Sequence, residues 1–180
     1  MNFSDIKNKI FKKKSPADYI LYSSIIALGI LLDQITKYLT SSFMELYQSI
    51  PIIKDVIHIT YVQNTGAAFG MMKDSRWVFM ISSTVMIIAL LLYLYLGHAE
   101  NRLYGASMAM IISGGIGNMI DRIALGYVVD FIDFTLIDFA VFNGADSFVC
   151  VGAGLLILAL ILDIVKEQKA EKEKNNGTNR

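Results

Sequence analysis

The sequence predicts an all-α membrane protein, with four transmembrane helices and a small extracytoplasmic β element. Three observations carry this. The 180 residues are 54% hydrophobic and only 18% charged, whereas soluble domains carry about a quarter charged residues. Four apolar stretches each reach the roughly 20 residues that a helix needs to cross a hydrocarbon core about 30 Å thick. The basic residues also gather on one side of those stretches.

The first span covers about residues 18–39 and is apolar up to Asp33. It follows a basic segment, as a signal peptide would. No small-residue cleavage site comes after it, so it reads as a retained span. The connection over about residues 40–76 contains "VIHITYV" (56–62), whose alternating apolar and polar positions predict a short strand. "NTGAAFGM" follows, with glycines and small residues that permit a tight backbone path. The second span covers about 77–96, and the third, rich in small residues, about 104–123. After a connection over 124–146, the fourth covers about 147–165. Tyr19, Trp77, Tyr93, Tyr95 and Tyr104 stand near span ends, as interfacial anchors do. Residues 1–168 form one domain, and the charged, low-complexity segment 169–180 reads as a disordered cytoplasmic tail.

Eleven of the sixteen basic residues lie in the N-terminal segment, at Arg102 or in the C-terminal tail. This bias puts both termini in the cytoplasm and the two long connections outside. Cys150 is the only cysteine, which excludes an internal disulfide, a CxxC redox pair and a four-cysteine zinc site. It reads as a small buried residue. His58 and His98 lie in different segments with no neighbouring ligand pattern, and each reads as a solvated or capping residue.

The orientation gathers Asp33, Asp121, Asp130, Asp133, Asp138 and Asp146 near the outer face. Ionisable groups at membrane depth normally face a bundle interior or a water-filled cavity. Asp133 and Asp138 read as solvated loop acids. Asn118, Asp121 and Arg122 share one helix face, and an Asp121–Arg122 ion pair is expected to hold the helix end. Asp33 and Lys37 are spaced i, i+4, with Lys37 extending toward the interface. Asp146 opens the fourth span, where Asn143 is placed to cap the helix and the dipole favours a negative charge. Asp130 sits among Val128, Val129 and Phe131, where desolvation raises a carboxyl pKa. Two carboxylates in one site do not both ionise readily, so one keeps a proton and the other serves as a base. Asp130 with Asp146 is one such pair. Asp121 with Asp146 is another, and spacing alone leaves both open.

"DQITK" (33–37), "NTGAAFG" (64–70), "GNMIDR" (117–122), "GYVVDFIDF" (126–134) and "FNGADS" (142–147) occur in an order that resembles the bacterial signal peptidase II family. The resemblance implies four helices with a small extracytoplasmic β cradle in the bacterial inner membrane. It also implies an aspartic endopeptidase that cleaves prolipoproteins just before a diacylglyceryl-modified cysteine. It assigns Asp130 and Asp146 as the catalytic pair, and Asp33, Lys37, Asn64, Gly66, Asn118, Asp121, Arg122 and Asn143 as supporting positions. Ser113-Gly114-Gly115 and Ala140 depart from the usual pattern, and the segment between the two aspartates is short.

The expected mechanism uses no metal and no cofactor. A water between Asp130 and Asp146 attacks the scissile carbonyl, with Asp146 as ionised base and Asp130 as acid. Asn64, Asn118 and Asn143 suit bonding to the substrate backbone, and Asn118 equally suits helix-end backbone groups. The expected partners are prolipoprotein substrates and membrane lipids, with no nucleic acid, and the protein is expected to be monomeric. A transporter would instead need acids at the midplane with access to both sides. A helix-packing scaffold would account for the small residues of the third span but not for five motifs together.

Overall fold

The computed structural model describes residues 15–66, 76–96 and 101–178. Its elements follow the order α1 (Pro16–Phe43), β1 (Ser49–Ile53), β2 (Ile57–Asn64), α2 (Arg76–Tyr95), α3 (Arg102–Ala124), β3 (Val128–Asp133), a 3-10 turn (Thr135–Ile137) and α4 (Gly144–Thr178). All four α-helices contain a stretch long and apolar enough to cross a membrane.

Helix α1 starts where local chemistry permits a start. Ser15 Oγ accepts from Asp18 N at 3.2 Å, Ser15 N donates back to the Asp18 carboxylate at 3.3 Å, and Pro16 follows the cap. Helix α3 is capped by Asn101, whose side-chain oxygen accepts from Tyr104 N at 3.1 Å. Arg102 Nε donates to Asp18 Oδ1 at 2.8 Å, so α1 and α3 begin at the same end of the bundle.

Helix α3 is the central element, packing against α1, α2 and α4. Its small residues allow this approach. Gly105 lies under the Tyr22 ring of α1, Gly117 faces the Asp33 carboxylate, and Gly114 lies against the Ala145 carbonyl and Val149 of α4. Tyr22, Leu94, Met108, Ala109 and Ile112 form the buried apolar cluster, while the faces turned outward carry leucine, isoleucine and valine. That division suits a lipid surround, in which close packing of small residues holds helices together.

At the far end of α3 the chain leaves the helix through Leu125, whose N–H donates to Asp121 O at 2.7 Å. Gly126, with φ of 88°, turns it into β3. The sheet has the order β1-β2-β3 and is antiparallel throughout. Asp130 pairs with Val62 and Val128 with Asn64 across β2 and β3. The chain then doubles back. Ile132 N donates to Phe142 O at 2.7 Å, and Phe142 N to Ile132 O at 3.0 Å. This bridge sets the start of α4 beside the middle of β3.

The strand expected over 56–62 is present as β2. Strands β1 and β3 were not anticipated from periodicity, because "SIPII" and "VVDFID" lack clean alternation. Helix α4 runs to Thr178, in place of the disordered tail expected from residue 169. Glutamine, lysine, glutamate and alanine are strong helix formers, so they extend a helix already begun in the membrane. The first motif of the outer loop is described only through Gly66. Residues 67–70, His98 and the N-terminal lysines lie outside the described residues.

Substituting two glycines separates packing from propensity. A methyl group at Gly114 would meet the backbone carbonyl of Ala145, whereas Gly154 has nothing within 4 Å of an added Cβ. Gly114→Ala should lower thermal stability in detergent by about 1–3 kcal/mol. Gly154→Ala should leave it unchanged or raise it by up to about 1 kcal/mol. Equal effects from the two would show that α3 and α4 do not pack as closely as described.

Candidate active site

At the sheet end of the bundle, Lys37 of α1 is buried among acids. Its Nζ lies 2.9 Å from Asp33 Oδ2 and 3.1 Å from Asp121 Oδ2, and donates to Asn118 Oδ1 at 2.9 Å. Only 3% of its side chain is exposed. Lys37 therefore turns inward and does not extend toward the interface, because two carboxylates and an amide meet it there. The expected Asp121–Arg122 ion pair is also absent, since Asp121 is spent elsewhere. Its oxygens accept from Lys37, from Gln34 Nε2 at 3.0 Å and from Val129 N at 3.0 Å.

These acids position backbone as well as charge. Asp33 Oδ1 accepts from Ala145 N at 2.8 Å and so holds the first turn of α4 against α1. Asp121 Oδ2 holds Val129 N, one residue before Asp130. Gln34 joins the cluster through Asp33, Asp121 and the Gly117 carbonyl. It was missed at the sequence level, although its place beside Asp33 at the end of a span was a usable signal.

Asp130 and Asp146 lie on the other side of this cluster and line one cavity of about 490 Å³. Every carboxylate oxygen of the two accepts a hydrogen bond. Asp130 Oδ1 takes one from Asn143 Nδ2 at 2.7 Å, and Oδ2 one from Asn64 Nδ2 at 2.9 Å. Asp146 Oδ1 takes one from Asn118 Nδ2 at 2.7 Å, and Oδ2 one from Asn143 N at 3.2 Å. In return Asn143 Oδ1 accepts from Asp146 N at 3.0 Å, which makes Asn143 the expected cap of α4. Asn143 thus touches both acids, and its amide also donates to Asn118 Oδ1 at 3.0 Å. Gly66 N donates to Asn64 Oδ1 at 2.9 Å, which fixes that amide's orientation. Each of the three asparagine amides donates to one of the two acids, and Asn64 and Asn118 each keep a second N–H beyond that bond.

Neutral donors hold the pair, and among the described residues no cation lies within ion-pairing distance of either acid. Burial pushes Asp130 up to about 7. The bond from Asn64 opposes this, the nearby charge of Asp146 adds to it, and Asn143 and Lys37 pull back. Asp130 is 2% exposed, so desolvation dominates. Asp121, the rival partner, is turned away toward Lys37.

The remaining wall combines Arg122 and Phe79 with an apolar side built from Val128, Phe139, Val141 and Phe142. Arg122 places its guanidinium carbon 5.4 Å from the Phe79 ring centre. Cys150 is exposed and lines the same cavity, in contrast to the buried position expected. Position 150 lies one helical turn beyond Asp146 and therefore faces the same way. Asp133 is not a free loop acid. It ends β3 opposite His58, and its Oδ2 accepts from Thr60 Oγ1 at 2.7 Å. Asp138 is exposed, as expected, in a left-handed conformation with φ of 49°. His58 is half-buried on β2 and caps no helix, and its Nδ1 bonds to Ser49 Oγ at 3.0 Å. No group of three or more histidine, cysteine or acidic side chains suited to a metal occurs among the described residues.

The raised Asp130 pKa has a consequence for stability. A carboxyl that binds its proton more tightly when folded contributes most below its unfolded value, about 3.8, and loses that contribution as pH rises through about 7. The melting temperature of the wild type relative to Asp130→Asn should therefore be level at acid pH and fall between about pH 4 and pH 7. A difference that stays constant over this range would show Asp130 to be an ordinary carboxylate.

A family model described as signal peptidase (SPase) II matches residues 25–162. A lipoprotein signal peptidase of Caldanaerobacter subterraneus subsp. tengcongensis is 50% identical over 132 residues, covering 73% of this chain and 90% of that one. One from Bacillus subtilis is 41% identical over 154 residues, covering 84% of this chain and all of that one. A solved bacterial membrane enzyme superposes with a TM-score of 0.75 at 33% identity, over 80% of this chain and 89% of that one. The match spans the bundle, the sheet and both cavity acids, and the chain belongs to the signal peptidase II family.

Proposed function

We propose that this protein is a membrane aspartic endopeptidase that removes signal peptides from prolipoproteins, cutting before the diacylglyceryl-modified cysteine. Asp130 and Asp146 are the catalytic pair. The observation that carries this is the shared cavity, in which two acids are held by neutral donors and one of them titrates near neutrality. A general acid or base works best when its pKa lies near the working pH.

Protonated Asp130 donates to the scissile carbonyl while Asp146 takes a proton from the attacking water. The tetrahedral intermediate then collapses, and a proton passes to the leaving amine. Asn143 fixes the two acids relative to each other, and Asn64 and Asn118 fix their outer oxygens. Asp33, Lys37 and Asp121 hold the elements that carry the pair, Gly66 orients Asn64, and Arg122 lines the wall. The apolar side of the cavity suits the signal-peptide residues and lipid chains of such a substrate. The chain works as a monomer surrounded by membrane lipids.

The enzyme resides in the bacterial inner membrane with both termini cytoplasmic and the sheet outside. The asymmetry of basic residues supports this orientation. Reporter fusions near Lys54 and beyond Thr178 should then report opposite compartments, and matching reports would reverse or discard it. The clustering of the acids at the sheet end of the bundle disfavours a transport path.

Purified protein should convert a diacylglyceryl-modified prolipoprotein to a smaller form on gels. Asp130→Asn and Asp146→Asn should each lower the rate by at least about a hundredfold while inserting normally. Asp138→Asn should cleave at close to the wild-type rate, and Asp133→Asn should lose at most a few-fold, through its bond to Thr60. Near-normal turnover by either of the first two variants would remove the pair from the mechanism.

A further inference from the structure

We propose that Phe79 is a positioning residue, which holds the Arg122 guanidinium on the cavity wall through a cation–π contact. The inference rests on the function proposed above and adds a part to it.

Arg122 stands in the last turn of α3, half-buried, with its side chain on the cavity that Asp130 and Asp146 line. Among the described residues, no carboxylate lies within ion-pairing distance of it. Among the described residues it makes one hydrogen bond, a long one from Nη1 to the Asn118 carbonyl at 3.4 Å, and it feels the charges of Asp146, Asp130 and Asp121 at longer range. What locates the guanidinium is the ring of Phe79, in the first turn of α2, 5.4 Å away. Arginine stacks on aromatic faces without giving up its remaining donors. The contact therefore fixes the cation and leaves it free for a ligand.

This arrangement suits a reaction that develops negative charge. When water adds to the scissile carbonyl, the carbonyl oxygen gains electron density before the Asp130 proton is fully transferred to it, and a cation already fixed in a low-dielectric wall stabilises that transition state without reorganisation. A guanidinium bound by a carboxylate would be largely neutralised. One held by an aromatic face keeps its charge. Because the benefit appears as charge develops, losing the ring should lower kcat more than it raises KM.

A steric role for Phe79 makes a different expectation, and fluorination separates the two. Replacing Phe79 with 4-fluoro-, 3,5-difluoro- and 3,4,5-trifluorophenylalanine drains the ring face of electron density with little change in volume. With a diacylglyceryl-modified prolipoprotein, kcat should fall stepwise along this series while KM stays nearly level. Phe79→Leu should lower kcat by about 2- to 30-fold. A flat series, or a change confined to KM, would overturn the positioning role and leave the proposed function standing. Failure of the wild-type protein to cleave would instead overturn the proposed function, and the role of Phe79 with it.

Discussion

The buried Lys37 ammonium is the interaction on which the rest of this structure depends. It lies within about 3 Å of carboxylate oxygens from two different helices, and each acid then fixes a backbone amide on a further element. Asp33 reaches α4 through Ala145 N, and Asp121 reaches β3 through Val129 N. Asp146 and Asp130 each stand one residue beyond those amides. One cation thus ties α1, α3, α4 and β3 together at the point where the two acids must meet. Removing one partner of a buried ion pair costs about 3–5 kcal/mol, mostly because a charge is left without compensation.

The second constraint is that the pair proposed as catalytic, Asp130 and Asp146, must not be neutralised in the same way. Lys37 is absorbed by Asp33 and Asp121. Asp130 and Asp146 receive bonds from the amides of Asn64, Asn118 and Asn143 and from one backbone N–H. Amides orient a carboxyl without cancelling its charge, so burial is free to raise Asp130 to about 7. Two neighbouring clusters of acids are thereby set to opposite tasks. One is paired with a cation, and the other is held by neutral donors, as the proposed proton transfer requires.

Much of this was legible in the sequence. Four helices followed from apolar runs of sufficient length, and β2 from the alternation in 56–62. Asp130 among valines and a phenylalanine and Asp146 at a helix start made one of two candidate pairs, and the family resemblance, not spacing, chose it over Asp121 with Asp146. What stayed hidden depended on long-range partners. Local spacing suggested Asp121 with Arg122, yet the partner of Asp121 is 84 residues away at Lys37. Spacing also suggested an outward Lys37, because nothing near it in sequence shows a second acid waiting on α3. Strand β3 was not seen because it is buried along most of its length and so lacks a polar face. Phe79 carries no motif signal, Gln34 was overlooked although it stands within "DQITK", and the contacts of both appear only once the helices are packed.

The most direct test of this account measures the stability of Lys37→Met against that of a triple variant, Lys37→Met with Asp33→Asn and Asp121→Asn. Thermal unfolding in detergent at neutral pH is the readout. If the ammonium is the counter-charge that makes two buried carboxylates tolerable, Lys37→Met should be destabilised by about 3–5 kcal/mol. The triple variant should recover most of that loss, because each asparagine keeps an oxygen for the backbone amide it must hold. A Lys37→Met variant as stable as the wild type, or a triple variant less stable than the single one, would contradict the claim that charge pairing at Lys37 holds the site together.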